Sequence, residues 1–342
     1  MKTVLYSIIL PTMALLLCAC SKEDLNVKSS QAHTTYDVSL CGTGGANDIT
    51  TKGEQINTSQ EGWKPLGDYS SLVDKFYVAA WNKNGAKYTQ IIGSFEEVIY
   101  SDGKWRGQTR DTWTDGQTKV FYAYANLPSE GAAVTTTSTK ETLKITKVPA
   151  DAKNQNDILL GYYIGTGDTD SDGTTEGIAS IKFHHPLTSV VFRKGDMGGH
   201  NITFTKMDLT NVYTIGTVEW TAKETDVTTP VNSTFAWTNR GTMQTVTQSD
   251  EKGLAIRSNG PVENQIGTSF ILIPQKMSDR RASVEVWGTE GEKEFHLKAD
   301  MPKTDEWKSG ATKVYTFGYD LLTSSVVLVE EREPVEGGTI GI

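Results

Sequence analysis

Cysteine is scarce in this chain of 342 residues, which contains three, at positions 18, 20 and 41. Cys18 lies at the end of an N-terminal apolar run, from 4 to 17, that is too short and too interrupted to span a bilayer and is typical of a secretory signal. Removal of the signal leaves Cys20 and Cys41, too few for a disulfide framework. We therefore expect stability to come from buried apolar cores.

Catalytic and cofactor motifs are also lacking. The sequence has no Gly-x-Ser-x-Gly, His-Glu-x-x-His, P-loop or Cys-x-x-Cys. His184 and His185 are adjacent on a predicted strand, so their side chains would point to opposite faces and could not easily share one metal ion. The sequence predicts a non-enzymatic protein with no cofactor and no metal site.

One acidic stretch resembles part of a calcium-binding loop. Asp168, Asp170, Asp172 and Gly173 fall at positions 1, 3, 5 and 6 of an EF-hand loop. Position 12 is Ala179, where a bidentate glutamate is required. We interpret residues 165–177 as a solvated loop between domains and keep weak calcium binding as the alternative.

Positive charge is in deficit. The chain has 33 Lys and Arg residues against 42 Asp and Glu residues, a formal net charge of −9. This balance does not favour nucleic acid or an anionic membrane surface as a partner. We predict no nucleic-acid partner.

Strand patterns run along most of the chain. In ASVEVWG (282–288), Ala282, Val284 and Val286 alternate with polar residues, which predicts an antiparallel sheet with one wet face. KFYVAAW (75–81), KVFYAYA (119–125) and SFILIP (269–274) are apolar on both faces, which predicts strands covered on both sides. Helical periodicity with proper caps is hard to find, so we predict an all-β fold with two sandwiches.

The domain boundaries follow from composition. The polar run GTGDTDSDGTTEG (165–177) has no strand pattern and is followed by a fresh series of strands. We predict a signal peptide at 1–19, a tether at 20–33, an N-terminal β-sandwich at 34–177 and a C-terminal β-sandwich at 178–342.

Four blocks of the sequence, in order, resemble the fimbrillin family of Bacteroidales. The first is KWRGQTRDTWTDGQTKVFYAYANLP (104–128), with two tryptophans, a glycine-containing turn, a Phe-Tyr-Ala-Tyr strand and a proline. The others are NDILLGYY (156–163) followed by IKFHHPLTSVVFR (181–193), ILIPQ (271–275) and EWKSGATKVYTF (306–317). The matching residues in the first two blocks are Trp105, Trp113, Gly116, Phe121, Tyr124, Pro128, Asp157, Leu159, Phe183, His185 and Leu187.

The resemblance implies a lipoprotein precursor with two transthyretin-like antiparallel β-sandwich domains in tandem. It implies a cell-surface subunit of a type V pilus that assembles by β-strand exchange with other fimbrial subunits, as a homo- or hetero-polymer, and supports adhesion. TTYDVSLCG (34–42) is the candidate first strand, and the C-terminal segment is the candidate donor strand; its alternative is an ordinary last strand followed by a frayed terminus. The residues concerned are Tyr36, Val38 and Leu40 in the first strand, and Val326, Leu328, Val335, Ile340 and Ile342 in the donor strand.

One departure from the family concerns processing. In shaft-forming fimbrillins an arginine-specific protease cuts the loop after the first strand, but here no arginine precedes Arg106. The corresponding loop, DITTKGEQ (48–55), carries Lys52, the candidate processing residue. Either another protease cuts there, or the strand is retained and the subunit stands at an end of the polymer, so the shaft, anchor and tip roles all stay open.

The N-terminal sequence resembles a lipoprotein signal. Leu17-Cys18-Ala19-Cys20 is similar to the lipobox of bacterial lipoproteins, which implies a lipid, such as palmitate, on Cys20; a disulfide with Cys41 is then excluded. The following SKEDL resembles signals that send lipoproteins to the outer face of the outer membrane. The alternatives are ordinary cleavage near Ala19 and a merely solvated charged tether.

Two other functions remain open. The tryptophans and aspartates of WRGQTRDTWTDG (105–116) would also suit a surface glycan-binding lipoprotein or, in third place, a glycoside hydrolase. Exposed coplanar aromatic rings would favour the glycan-binding lipoprotein. A cleft with two carboxylates about 5 to 10 Å apart would favour the hydrolase.

Overall fold

The computed structural model describes residues 35–42, 50–51, 54–55, 62–65, 75–101, 104–108, 117–166, 168–169, 175–176, 178–223, 235–257, 262–279 and 281–329. Several predicted features lie outside these residues, namely the signal, the tether with Cys20, Lys52, and the tail residues Val335, Ile340 and Ile342. Within the described ranges, no helix is both long and apolar enough to cross a membrane.

The described part of the chain is built from strands. It contains short 3-10 turns at Ala152–Asn154 and Met277–Asp279 and no α-helix, which confirms the all-β prediction. The strands of the first half are β1 Thr35–Gly42, β2 Thr50–Thr51, β3 Glu54–Gln55, β4 Gly62–Pro65, β5 Lys75–Asn84, β6 Lys87–Ser101, β7 Lys104–Arg106, β8 Thr118–Ala125, β9 Ala132–Thr136, β10 Glu141–Ile145, β11 Leu159–Gly165, β12 Asp168–Thr169, β13 Thr175–Glu176 and β14 Ile178–His184. Those of the second half are β15 Thr188–Lys194, β16 Ile202–Tyr213, β17 Gly216–Trp220, β18 Trp237–Thr238, β19 Met243–Ser249, β20 Ile256–Arg257, β21 Gln265–Ile266, β22 Phe270–Leu272, β23 Gln275–Lys276, β24 Ser283–Glu290, β25 Lys293–Asp300, β26 Glu306–Trp307, β27 Thr312–Asp320 and β28 Ser325–Val329.

An eight-stranded sheet forms around the strands that are apolar on both faces. Its order is β14-β11-β8-β5-β6-β7-β1-β4, and β1 also pairs with β14. Seven of the strands therefore form a closed ring. The central strands β5 and β8 are largely buried on both faces, as their sequences predict.

The interior of the ring holds its own apolar core. Phe76, Val78 and Ala80 alternate along β5 toward the inside, and Phe121 and Ala123 do so along β8. All five are at most 1% exposed. The other buried members of this cluster are Tyr36, Ile92, Val98, Trp105, Ala125, Leu159, Ala179, Ile181 and Phe183.

The second half of the chain forms a sandwich of two sheets. One sheet has the order β20-β21-β15-β27-β28, with β22 also paired to β15, and the other has the order β19-β16-β24-β25. Phe192 and Phe317 of the first sheet stack with their ring centroids 5.5 Å apart. Phe204 of the second sheet lies 5.6 Å from Phe317, so the two sheets meet face to face.

A shared sheet links the two halves. It has the order β18-β17-β10-β9, so strands from before and after residue 178 lie side by side. The buried apolar residues of this sheet belong to a cluster that includes both Tyr122 of the ring and Phe192 of the sandwich. The halves therefore share one continuous apolar core.

The strand pairing bears on the predicted boundary at 177/178. β14 begins at residue 178 but pairs with β11 and β1 of the first sheet. The chain passes to the next sheet only between His184 and Thr188. The polar run 165–177 therefore connects β11 and β14, two paired strands of one sheet. The division into two tandem domains stays a prediction.

Candidate strand-exchange site

The first strand, β1, is paired along both of its edges. On one side it runs parallel to β14, from Thr35 opposite Ile178 to Leu40 opposite Phe183. On the other side it is antiparallel to β7 near Tyr36 and to β4 from residue 39 to residue 42. Parallel pairing requires a long connection, which the 135 residues between β1 and β14 supply.

The side chain of Tyr36 fixes β1 to the ring interior. It is 5% exposed, and its ring centroid lies 5.7 Å from that of Phe76 and 6.0 Å from that of Phe121, both in edge-to-face geometry. A Cβ atom placed on Gly107 would lie 3.2 Å from the Tyr36 ring, so the chain after β7 passes closely over it. Tyr36 is thus enclosed by the sheet and by the chain above it.

Further aromatic side chains surround the position that β1 occupies, which we call its seat. Trp105, which is opposite Tyr36 in the β7 register, is 2% exposed, with its ring 5.2 Å from that of Phe76. Phe183 is fully buried, and its ring lies 5.6 Å from that of Phe76. If β1 left this seat, the apolar interior and the edges of β14 and β7 would be open at the same place.

The predicted first-strand residues lie on β1, and the strand pairing gives their register. Val38 and Leu40 are in register with Ile181 and Phe183, which line the ring interior. The partners Phe76, Phe121 and Ile181 were not singled out as site residues by the sequence analysis. The apolar character of both faces of β5 and β8 indicates that these strands are central. It does not indicate which strand pairs with β14.

The predicted donor residues that are described lie in the other half of the chain. Val326 and Leu328 belong to β28, the edge strand of the six-stranded sheet, opposite Tyr319 and Phe317 of β27. Val326 is buried and Leu328 is half-buried. β28 therefore occupies the place of a last strand, and the chain continues beyond it for 13 residues, 330–342, that lie outside the described part.

The two adjacent histidines make separate contacts. The ring of His184 packs against Trp220 at 5.4 Å, and Nδ1 of His185 lies 2.9 Å from Oδ2 of Asp157. His185 and Asp157 are both almost completely buried, and desolvation raises the pKa of Asp157 against the lowering effect of His185. In the described part of the chain, no cluster of three metal-ligating side chains occurs.

A second buried acid is Glu141. Glu141 begins β10 on the face that carries the buried Leu143 and Ile145. Neither of its carboxylate oxygens has a hydrogen-bond partner among the described residues, and desolvation raises its pKa well above the usual range. Burial therefore favours the neutral, protonated form of Glu141 in the folded protein.

Two further features concern the alternative functions, namely the tryptophans that would suit glycan binding and the acidic loop that would suit calcium binding. Trp105 is buried and cannot offer its ring to a sugar, and Trp113 lies outside the described residues. The half-buried Trp287 is stacked on His296 at 4.6 Å and has the Lys206 ammonium 4.3 Å from its ring centre. In the acidic loop, β12 pairs with β13 in a two-residue ladder.

Comparison with known protein families shows that residues 70–330 match the family model described as "Fimbrillin-like". The chain belongs to the fimbrillin-like family. This membership confirms the resemblance seen in the sequence, supports a role as a fimbrial subunit at the cell surface, and suggests a non-enzymatic protein. No curated protein matches the chain in sequence.

Solved structures resemble this fimbrillin-like chain over most of its length. A candidate cell adhesion protein from Bacteroides ovatus is 16% identical, with a TM-score of 0.54, over 87% of this chain and 97% of that one. A second from Bacteroides uniformis is 12% identical, with a TM-score of 0.42, over 88% and 97%. The fimbrial anchor protein Mfa2 from Porphyromonas gingivalis is 10% identical, with a TM-score of 0.33, over 86% and 95%. The likeness to the first of these supports the fold.

Proposed function

We propose that this fimbrillin-like chain is a structural subunit of cell-surface fimbriae (type V pilus), exported as a lipoprotein and assembled by β-strand exchange to support adhesion. The observation that carries the proposal is the seating of β1, an N-terminal strand paired on both edges and anchored by Tyr36 in an aromatic interior. A strand so placed can be replaced by another strand of the same apolar period without rearranging the rest of the ring.

The energetics of such an exchange favour a specific partner. Removing β1 would leave unpaired N–H and C=O groups on two strands and expose the apolar interior around Phe76 and Phe183. A donor strand restores the main-chain hydrogen bonds, and its alternate side chains, which enter the groove, fix the register. A shift by one residue would turn the inward side chains of the donor away from the groove, so registers of one parity are favoured.

The tail of the chain is the donor in this proposal. Val335, Ile340 and Ile342 follow β28, whose last residue lies at a sheet edge. The tail is long enough to reach a neighbour, because 13 residues in extended form span about 45 Å. Ile340 and Ile342 have the period of two that a groove lined by apolar side chains selects.

Deletion of residues 332–342 tests the donor tail. The truncation ends beyond β28, so the described sheet stays complete and the monomer should fold. We expect it to abolish heat-sensitive, SDS-resistant multimers of protein isolated from the outer membrane, because the exchanged strand is missing. A matched control replaces Glu333 and Glu336 with Gln, which keeps the tail and should keep the multimers. Multimers that persist after truncation would exclude the donor role.

The lipid anchor has an independent test. Cys20→Ala is expected to abolish incorporation of a labelled fatty acid, because the acylated side chain is lost. Cys18→Ala, two residues earlier, should leave the labelling unchanged and is the matched control. Labelling that survives Cys20→Ala would contradict the assignment of the lipid to this residue and would leave strand exchange unaffected.

A further inference from the structure

The sandwich of the second half has an open edge at β25. This strand pairs with β24 along its whole length, from Lys293 to Asp300, and in the described part of the chain no strand pairs with its other side. An unpaired strand of eight residues presents a row of main-chain donors and acceptors to which another strand can add.

The apolar face beside this edge is incompletely covered. Phe295, Leu297 and Ala299 of β25 face the core but are only partly buried, unlike Val284 and Val286 of the neighbouring strand, which are fully buried. A cavity of about 510 Å³ opens between β25 and the start of β28, with Val326 among its lining residues. A strand added to β25 would cover this cavity and place apolar side chains against its floor.

The outward residues of β25 are complementary to a second copy of the same strand. Two antiparallel copies related by a two-fold axis at His296 would place Glu294 of each copy opposite Lys298 of the other. In the same register Phe295 lies opposite Leu297, on the core side. One register therefore gives two opposite-charge pairs and two apolar pairs.

The neighbouring registers that keep the apolar face inward are worse. A shift by two residues in one direction places Glu294 opposite Asp300, which is repulsive. A shift in the other direction moves Lys293 from opposite Ala299 to opposite Leu297 and replaces the two Phe295–Leu297 pairs with a single Phe295–Phe295 pair. Charged edge strands often prevent pairing between copies, but here the charge pattern discriminates between registers and favours one of them.

We propose that two copies of this chain associate side by side through β25, in the antiparallel register centred on His296. The four-stranded sheet of each copy then continues into that of the other. The contact uses a strand that takes no part in seating β1, so it is separate from strand exchange and would join subunits laterally. A single strand edge buries less surface than a typical stable interface, so we expect a weak, concentration-dependent dimer that SDS dissociates.

A charge exchange tests this register. Light scattering over a concentration series of the purified full-length chain gives the dissociation constant of the dimer. Glu294→Lys and Lys298→Glu each convert two attractive pairs into two repulsive ones, and each is expected to weaken the dimer about tenfold or more. The double variant restores both attractive pairs and is expected to return the constant to within about threefold of the starting value.

Three controls make the result decisive. Glu251→Lys makes the same charge change on an exposed turn next to β19 and should leave the dimer intact. Because Lys298 also contacts Glu285 at 2.6 Å, the thermal midpoint of each variant shows whether the monomer is still folded. A Lys298→Gln variant removes the charge without reversing it and should give an intermediate constant.

Several outcomes would overturn the proposal. These are a chain that stays monomeric at every concentration, a dimer that neither single reversal weakens, a double variant that does not recover, and a Glu251→Lys variant that weakens the dimer equally. None of them bears on strand exchange, because its multimers are identified by SDS resistance. Conversely, a lack of SDS-resistant multimers would not contradict the β25 dimer.

Discussion

Replacing His185 with Ala is expected to lower the free energy of unfolding by about 3–5 kcal/mol at neutral pH, the usual cost of leaving a buried carboxylate without its partner. Asp157 is fully buried 2.9 Å from His185, and its pKa is already raised by desolvation. Without His185 the Asp157 carboxyl loses the neighbour that lowers its pKa, and desolvation alone remains. Urea unfolding of the variant and of the parent chain measures the difference.

The pH dependence separates a charge effect from a packing effect. The variant's carboxyl would have a folded-state pKa above its unfolded value, so stability is retained below the unfolded pKa of about 4 and is lost as the pH rises through the folded value. The deficit of His185→Ala should therefore shrink in acid, whereas a cavity would cost the same at each pH. The matched control His185→Ala/Asp157→Asn removes the charge and should recover part of the loss. An equal deficit at pH 4 and pH 7.5 would contradict the charge interpretation.

Replacing Glu141 with Leu is expected to stabilise the protein, with the largest gain at alkaline pH. Glu141 is completely buried without a hydrogen-bond partner among the described residues, and burial holds its pKa well above the usual range. The parent chain therefore loses stability as the pH rises from the unfolded pKa toward the folded one, by about 1.4 kcal/mol per pH unit. Leu removes both the charge and the polar atoms, so we expect a gain of at least about 2 kcal/mol at pH 8.

Glu141→Gln is the matched control because it keeps the shape and polarity of the side chain and removes only its ionisation. It should match the parent chain in acid and exceed it at pH 8, with a flatter profile in between. Urea midpoints at several pH values provide the measurement. A parent profile as flat as that of the Gln variant would show that Glu141 is compensated in the folded protein.

The central strands could be predicted because their signal is local. The apolar residues at consecutive positions around Phe76 and Phe121 require cover on both faces, and the structure provides it from the ring interior on one side and from the shared core on the other. β1 was likewise predicted from its period of two. Its place between β14 and β7 was not, because parallel pairing across more than a hundred residues leaves no mark in either segment.

The buried acids and the shared sheet also could not be predicted from local sequence. Glu141 begins ETLKI (141–145), whose sequence carries no signal for its burial, and it lies opposite Trp220 of β17 in the sheet that both halves of the chain form. That pairing joins the two halves of the chain, so a boundary drawn from local composition could not detect it. The candidate site was predicted as a set of strands, while the aromatic walls that hold Tyr36 became visible only in three dimensions.

The position of β1 along the chain has a consequence for the timing of assembly. β1 lies between Cys20 and Lys52. If Cys20 carries the proposed lipid and the chain is cut at Lys52, that single cut leaves the lipid covalently attached to the strand that departs in the proposed exchange. Release from the membrane and activation of the groove would then be one event, and a subunit could not become competent to polymerise while still immobilised by its own lipid. Without that cut, the proposed lipid would stay attached to the chain and β1 would stay in the groove. The subunit could then donate its tail to a neighbour but could not accept one, so it would form a permanent end of the polymer.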